Sequence, residues 1–462
     1  MSDAELERKA QRINSVSPSF CLAKWQQVTI DLVNGTNHSC HHPKRHAIPL
    51  DEIAVNPSAL HNTQYKKEQR KLMLEGKRPP ECGYCWTMED CGSQYSDRII
   101  KSTDPWAYPR LEKISKMPWD ANVNPTYVEI MLDDLCNFSC MYCMSDISTG
   151  VAQEMKKFGP YNIIHNDHRM GSKKEIDRTP YLTAFWKWLP EIIQDLEVLR
   201  ITGGEPLLSP EFDKVLKFLE TSGHERLTFV VNSHLGHAGR RMDEFTDKID
   251  RLLKLGKIGK FELYTSVDGQ GLQAEYMRHG LNYSTLINNI YRVQQRLPGT
   301  ELVVMATLNI LSLGSLQGLL EDLVEIKKFY PMVSLDVSYL RHPEYLRLNI
   351  ATPDLLERLH HALKWMEDNT PLYFNEHELK KLANIAQWTS RPDIGVEGLQ
   401  LRKFFYFIEE YDRRKNRSFL EIFPEYKNFW LVCKERIFNS AFVRPEGAAP
   451  VVPWSELPRD GV

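Results

Sequence analysis

Six apolar runs, each followed by a stretch of helical periodicity, constrain this chain more than any other feature. The runs are TYVEIML (126–132), EVLRITG (197–203), LTFVVNS (227–233), KFELYTSVD (260–268), ELVVMATLN (301–309) and VSLDVSYL (333–340). Between them lie EFDKVLKFLET, DEFTDKIDRLLKL, YSTLINNIYRVQQRL and LQGLLEDLVEIKKFY, whose apolar residues recur at helical spacing. A strand, a helix and a strand in succession favour parallel pairing, because the helix carries the chain back to the starting edge. The predicted fold class is α/β, with an open or partial (β/α)6 barrel over residues 125–345. Chemistry in such folds gathers on loops at the C-terminal ends of the strands.

The flanks differ in character. Residues 1–101 are rich in cysteine and histidine, with turn signals such as VNGTNHS and KRPPECGYC. A connector with Pro and Trp follows at 102–124. Residues 346–462 read as a mostly helical extension. In it TPDLLERLHHALKWMED begins with an N-cap-like Thr352 before Pro353, and LRKFFYFIEEYDRRKNRSF reads as a packed helix with a solvated side. The closing VRPEGAAPVVPWSELPRDGV is Pro-rich and read as irregular.

Composition narrows the class. The chain of 462 residues is 42% hydrophobic with a net charge of −3. That balance carries no global signature of nucleic-acid or membrane binding, and no run reaches the ~18 apolar residues of a membrane span. The start, MSDAELERKAQR, lacks the apolar core of a signal peptide. The expected location is the cytoplasm, where structural disulfides are uncommon. The nine cysteines therefore need another account, and eight of them precede residue 144. Such clustering favours metal ligation. Cys433, in FWLVCKERI, reads as a core thiol.

Three cysteines follow the first strand at once. LDDLCNFSCMYC gives Cys136-x3-Cys140-x2-Cys143. One reading is a buried helical stripe at i, i+4 and i+7. The intervening Asn137, Phe138, Ser139, Met141 and Tyr142 make a poor amphipathic helix, and the position is where barrel sites are built. A closed zinc site or a shielded electron-transfer cluster asks for four protein ligands. Three leave a coordination position open.

This spacing, with aromatic Tyr142 just before the third cysteine, resembles the radical S-adenosylmethionine (radical SAM) superfamily. RITGGEPLL, ending the second strand, resembles that family's second motif. The resemblance covers about residues 125–345, in a partial TIM-type barrel. It implies a [4Fe–4S] cluster on Cys136, Cys140 and Cys143 that binds S-adenosylmethionine through its open iron. It assigns Gly203, Gly204 and Glu205 to the methionine amino group. Asn232, Ser266 and Asp268 fall near the ribose and carboxylate. Arg278 matches an arginine that pairs with the cofactor carboxylate, and Asn309 lies toward the adenine. Val337 or Tyr339 is a further pocket-lining candidate.

The N-terminal cysteines are Cys21, Cys40, then Cys82-x2-Cys85-x5-Cys91. WQQVTIDLVNG reads as a strand entering a turn at Asn34-Gly35. The order resembles the SPASM/twitch domain of radical SAM enzymes, which holds auxiliary iron–sulfur clusters. There are two departures. That domain usually follows the barrel, and Tyr95 stands where a further cysteine is expected. The resemblance therefore implies one auxiliary [4Fe–4S] cluster on Cys21, Cys40, Cys82 and Cys85, with Cys91 in reserve. A zinc knuckle using His38, His41, His42 or His46 is the alternative.

The functional expectation is an enzyme that cleaves S-adenosylmethionine reductively and abstracts hydrogen from a substrate. A peptide or protein side chain is the first substrate class. An electron donor such as a flavodoxin or ferredoxin is the expected partner, with neither membrane nor nucleic acid. No catalytic acid or base is assignable. Asp133, Asp134, His234, Tyr264, Asp336 and His342 lie near the strand ends. Two competing readings are a zinc-knuckle nucleic-acid-binding protein and an inactive radical SAM fold with an assembly role.

Overall fold

A computed structural model describes residues 2–92, 95–161, 163, 176–389 and 397–438. The Pro-rich stretch 443–462 lies outside the described residues.

The six apolar runs all form strands. We label β1 Gln27–Asp31, β2 Thr36–His38, β3 His46–Ala47, β4 Tyr127–Met131, β5 Ser139–Cys140, β6 Val198–Thr202, β7 Thr228–Asn232, β8 Lys260–Ser266, β9 Arg278–His279, β10 Glu301–Leu308 and β11 Val333–Tyr339. Strands β4, β6, β7, β8, β10 and β11 are neighbours in chain order, each parallel to the next. The sheet is mixed, because β1 adds in parallel to β4 and carries the antiparallel β2 and β3. The N-terminal hairpin thus extends the main sheet. It turns at Gly35, whose φ of +61° suits a residue without a Cβ.

The two faces of this sheet differ. Val128, Ile130, Leu199, Ile201, Phe229, Val231, Phe261 and Leu263 are buried. Helices cover that face: Phe212 lies 6.3 Å from Phe229, and Phe245 lies 5.9 Å from Phe261. Each fully buried apolar side chain of this kind contributes about 1.5–3 kcal/mol. The opposite face carries Glu129, Arg200, Asn232, Glu262, Tyr264 and Ser266, which are half-buried. Parallel sheets are usually covered on both faces. The partly accessible polar face is therefore where a ligand can lie.

Helix ends follow their sequence cues in part. Ser209 and Asn282 cap Pro210–Ser222 and Tyr283–Arg296 through their side chains. Thr352 stands at the predicted N-cap of Pro353–Asp368, but its hydroxyl makes no cap bond. A second apolar cluster, with Phe20, Trp25, Met73, Trp86 and Trp106, organises the N-terminal region and packs on Tyr127 and Val198. No described helix is long and apolar enough to cross a membrane.

Candidate functional site

The cysteine loop leaves the C-terminal end of β4 and is held from three directions. On one side it lies against the end of β6. The Gly204 N–H donates to the Asp133 carbonyl at 3.1 Å, and the Glu205 N–H to the Leu135 carbonyl at 2.6 Å. A Cβ at Gly203 would stand 2.5 Å from the Asp133 oxygen, and one at Gly204 2.3 Å from the Leu135 oxygen. The sequence reading has these glycines admitting a ligand. In the structure their close neighbour is the backbone of the cysteine loop itself.

On the far side β5 pairs antiparallel with β9, setting Cys140 opposite Arg278. The Met141 N–H donates to the Met277 carbonyl at 2.9 Å. Thr149 closes the third side. Its hydroxyl accepts from the Cys136 N–H at 2.9 Å and donates to the Cys136 carbonyl at 3.1 Å. Phe138 is buried beneath, stacked on His234 with ring centres 3.8 Å apart. No helix spans 136–143, so the three cysteines are not a helical stripe. They are half-buried. Burial, with the neighbouring Cys140 and Glu205, pushes the Cys136 thiol up to about 11.

Half-buried Tyr142 and the buried Asp268 and Arg278 form one group. Arg278 Nε donates to Asp268 at 2.8 Å and its terminal nitrogen at 3.1 Å, a two-pronged ion pair. The Tyr142 hydroxyl accepts from Arg278 at 2.5 Å and donates to Asp268 at 2.6 Å. Burial raises the Tyr142 pKa well above its ordinary value. Asp268 also accepts from the Thr307 N–H at 2.9 Å, tying the group to β10. The sequence reading has the Arg278 fork on a cofactor carboxylate. Here Asp268 occupies it, as expected for two opposite charges buried together.

Glu205 is fully buried. Its carboxylate accepts from the Ser233 hydroxyl and the His234 N–H, each at 2.8 Å, and the His237 ring lies 3.1 Å away. Burial alone raises such a carboxyl, but His234 and His237 outweigh it and hold the pKa near about 2. Asn309 is buried too. Its side chain accepts from the Leu311 N–H at 3.0 Å and caps a short 3-10 turn. Asn232 and Ser266 lie on the polar face, with Asn232 accepting from Arg200 at 3.0 Å. Val337 and Tyr339 are on the other, helix-covered face. Val337 is in the core, and Tyr339 packs on Trp388 at 4.4 Å, so neither lines the polar face.

The acid–base candidates are engaged elsewhere. Asp133 takes Ser209 at 3.0 Å and Arg178 at 2.8 Å, Asp336 pairs with Lys381 at 2.7 Å, and His342 with Glu344 at 3.0 Å. Tyr264 lies under Arg200, 4.3 Å from ring centre to guanidinium. Asp134 is half-buried and turns its carbonyl to the Thr149 N–H.

Four N-terminal cysteines meet at a second place. Cys21, Cys40, Cys82 and Cys85 line one pocket together with Lys24, His42, Trp86 and Arg98. Burial pushes Cys40 and Cys85 up to about 12. Cys91 is exposed and outside the pocket lining. Four thiolates 2.3 Å from one zinc ion have sulfurs about 3.8 Å apart. Among the described residues, the group with three or more ligand atoms within 4.8 Å of one another is Glu205, His234 and His237, with no cysteine in it. The pocket sulfurs are thus spread more widely than a single zinc ion requires. His38, His42 and His46 bond Cys40 O, Asp97 and Thr63, and His41 is exposed. Cys433 is buried in the main core. None of the nine cysteines is disulfide-bonded.

Toward the N-terminal ends of the strands a cavity of about 370 Å³ opens on the polar sheet face, lined by His41, Lys101, Trp106, Tyr127, Arg200 and Tyr264. Sequence reasoning missed Arg200 and Trp106. The alternation that put Arg200 on the same face as Asn232 was the available signal for the first.

No family model matches the chain. Over 129 residues it is 26% identical to GTP 3',8-cyclase of Psychromonas ingrahamii, a match covering 27% of this chain and 31% of that protein. The chain thus matches about a third of that relative's length. Among solved structures, native anSMEcpe with bound AdoMet superposes with a TM-score of 0.33 at 12% identity, over 52% of this chain and 60% of that one. SuiB of Streptococcus suis bound to S-adenosylmethionine gives 0.35 at 13% identity, over 76% and 71%. SuiB bound to the precursor peptide SuiA gives 0.34 at 13%, over 75% and 69%. Superpositions this loose carry no argument about the site.

Proposed function

We propose that this chain is a radical SAM enzyme that cleaves S-adenosylmethionine reductively and uses the resulting radical to take hydrogen from an unactivated carbon. The observation that carries this is the three-cysteine loop, braced on three sides at the C-terminal end of β4, while Cys21, Cys40, Cys82 and Cys85 line a pocket of their own. Cys136, Cys140 and Cys143 would hold a [4Fe–4S] cluster, which when bound would supply the electron for reductive cleavage of S-adenosylmethionine.

The protein's part is holding and shielding. Cys136, Cys140 and Cys143 present thiolates from one loop. Gly203 and Gly204 let that loop lie on β6. Tyr142, Asp268 and Arg278 fix its other flank and keep water out. Because the Glu205, Asp268 and Asn309 side chains are already bonded internally, they set the shape of the cofactor pocket. Asn232 and Ser266, on the open polar face, are the direct contacts in this reading. The six parallel strands act as a partial barrel, and residues 1–101 as a twitch-like domain holding one auxiliary cluster on Cys21, Cys40, Cys82 and Cys85. The substrate in this reading is a peptide or protein side chain. A flavodoxin or ferredoxin delivers the electron.

The test is anaerobic reconstitution with iron and sulfide, followed by S-adenosylmethionine and dithionite. We expect about eight irons per chain and release of 5′-deoxyadenosine. Replacing Cys136, Cys140 and Cys143 with Ala is expected to leave about four irons and abolish the product. Stoichiometric zinc with no iron uptake and no product contradicts the reading.

A further inference from the structure

Lys24 is one of the most deeply buried charged residues of the N-terminal region, at 2% exposure. It follows Cys21 by three residues and lines the same pocket as Cys21, Cys40, Cys82 and Cys85. Its ammonium pairs with the buried Glu81 carboxylate, which directly precedes Cys82. Behind it Lys66 and Arg70 are fully buried. Lys66 donates to the Gln27 carbonyl at 3.0 Å, and Arg70 donates to the Lys24 carbonyl at 3.2 Å and to Asn62 at 3.0 Å, all neutral acceptors. Of these three basic side chains only Lys24 has a carboxylate within 4.0 Å among the described residues, and burial lowers the Lys66 pKa well below its ordinary value. Lys24 interacts electrostatically with Cys82 and Cys40 as well as with Glu81, so an occupant of the pocket that brings negative charge, such as four thiolates around a cluster, meets a fixed cation.

We propose that Lys24 sets the reduction potential of the auxiliary cluster, with Glu81 as its counterweight. This rests on the cluster reading above. One-electron reduction adds a negative charge within the ring of thiolates. A fixed cation against them stabilises the reduced form, and a fixed anion destabilises it. The two neighbours therefore act in opposite directions, whereas a purely structural pair acts in one.

The experiment uses the full chain carrying Cys136, Cys140 and Cys143→Ala, so that only the N-terminal cysteines bind iron. Iron is counted, and the midpoint potential is read by mediated titration with electron paramagnetic resonance. Lys24→Met is expected to shift the ratio of oxidised to reduced cluster about tenfold toward oxidised at fixed potential, equivalent to ~59 mV. Glu81→Gln is expected to shift it toward reduced, with about four irons retained. Glu81→Gln keeps Lys24 in place and decides the matter even where Lys24→Met takes up less iron. Four irons with an unmoved midpoint, or both variants moving it the same way, overturns the role of Lys24 alone. A starting protein that takes zinc or no iron overturns the cluster reading and this proposal together.

Discussion

The two cysteine sites are built on opposite plans. The 136–143 loop has three half-buried sulfurs and is fixed by backbone, through the glycines of β6, the β5–β9 pair and Thr149. The N-terminal pocket gathers four cysteines from separated segments, and its surroundings are buried cations. The first plan leaves a position open beside a polar sheet face. The second sets the Lys24–Glu81 ion pair beside its four cysteines. Under the proposed function, the difference teaches that ligand number and neighbouring chemistry, more than cysteine spacing, would separate a site for reaction from a site for holding an electron.

The comparison breaks most readily at the Tyr142–Asp268–Arg278 group. Removing one member of a buried ion pair costs about 3–5 kcal/mol. Arg278→Met should therefore lower the unfolding free energy by about that much in denaturant titrations and loosen iron in the loop while sparing the pocket. An unchanged stability would mean the pair is not what braces the loop.

Next in size is Gly204→Ala. The added methyl meets backbone that cannot move aside, for an expected cost of about 1–3 kcal/mol. Iron bound by the loop should fall first. A variant with normal stability and full iron would show that the loop does not lie on β6 as described.

A smaller effect samples one ring from each region. Burial lowers the His234 pKa to about 4, and that of the fully buried His61 well below its ordinary value. In the unfolded chain both take protons near pH 6.5. Between about pH 6.5 and 4 the unfolded state binds more protons, so stability is full above that window and falls with pH through it. The slope is up to ~1.4 kcal/mol per pH unit for each ring. Thermal melts at pH 7.5 and 5.5 should show the drop, and equal midpoints would count against these rings staying neutral.

The smallest expected effect has the opposite sign. Gly83, in the pocket's Cys82–Cys85 turn, is helical, and an added Cβ meets nothing within 4 Å. Gly83→Ala should stabilise by about 0.4–1 kcal/mol with iron uptake unchanged. Destabilisation there would show that the pocket, like the loop, depends on glycine.

The sequence revealed a good part of this and hid the rest for physical reasons. The strands were legible because each apolar run is bounded and followed by a helical period; LTFVVNS was read at 227–233 and β7 is Thr228–Asn232. Cys21, Cys40, Cys82 and Cys85, the set implied by the SPASM/twitch resemblance, line one pocket. What was hidden depends on pairing across long separations. Nothing local marks Val28 as a neighbour of Val128, or Asp268 as the partner that occupies Arg278. The resemblance sets Asn309 toward the adenine, and its bond to the Leu311 N–H shows only in the folded chain. Lys24 escaped notice because lysines are almost always exposed, so its burial shows only once the fold is assembled.

The most direct test of the two-plan account is 5′-deoxyadenosine released per chain, measured side by side in Cys140→Ala and Cys40→Ala proteins reconstituted alike. The account predicts no product from Cys140→Ala and continued cleavage from Cys40→Ala, whose iron content falls. Cleavage that survives the loss of Cys140, or that vanishes equally with the loss of Cys40, would contradict it.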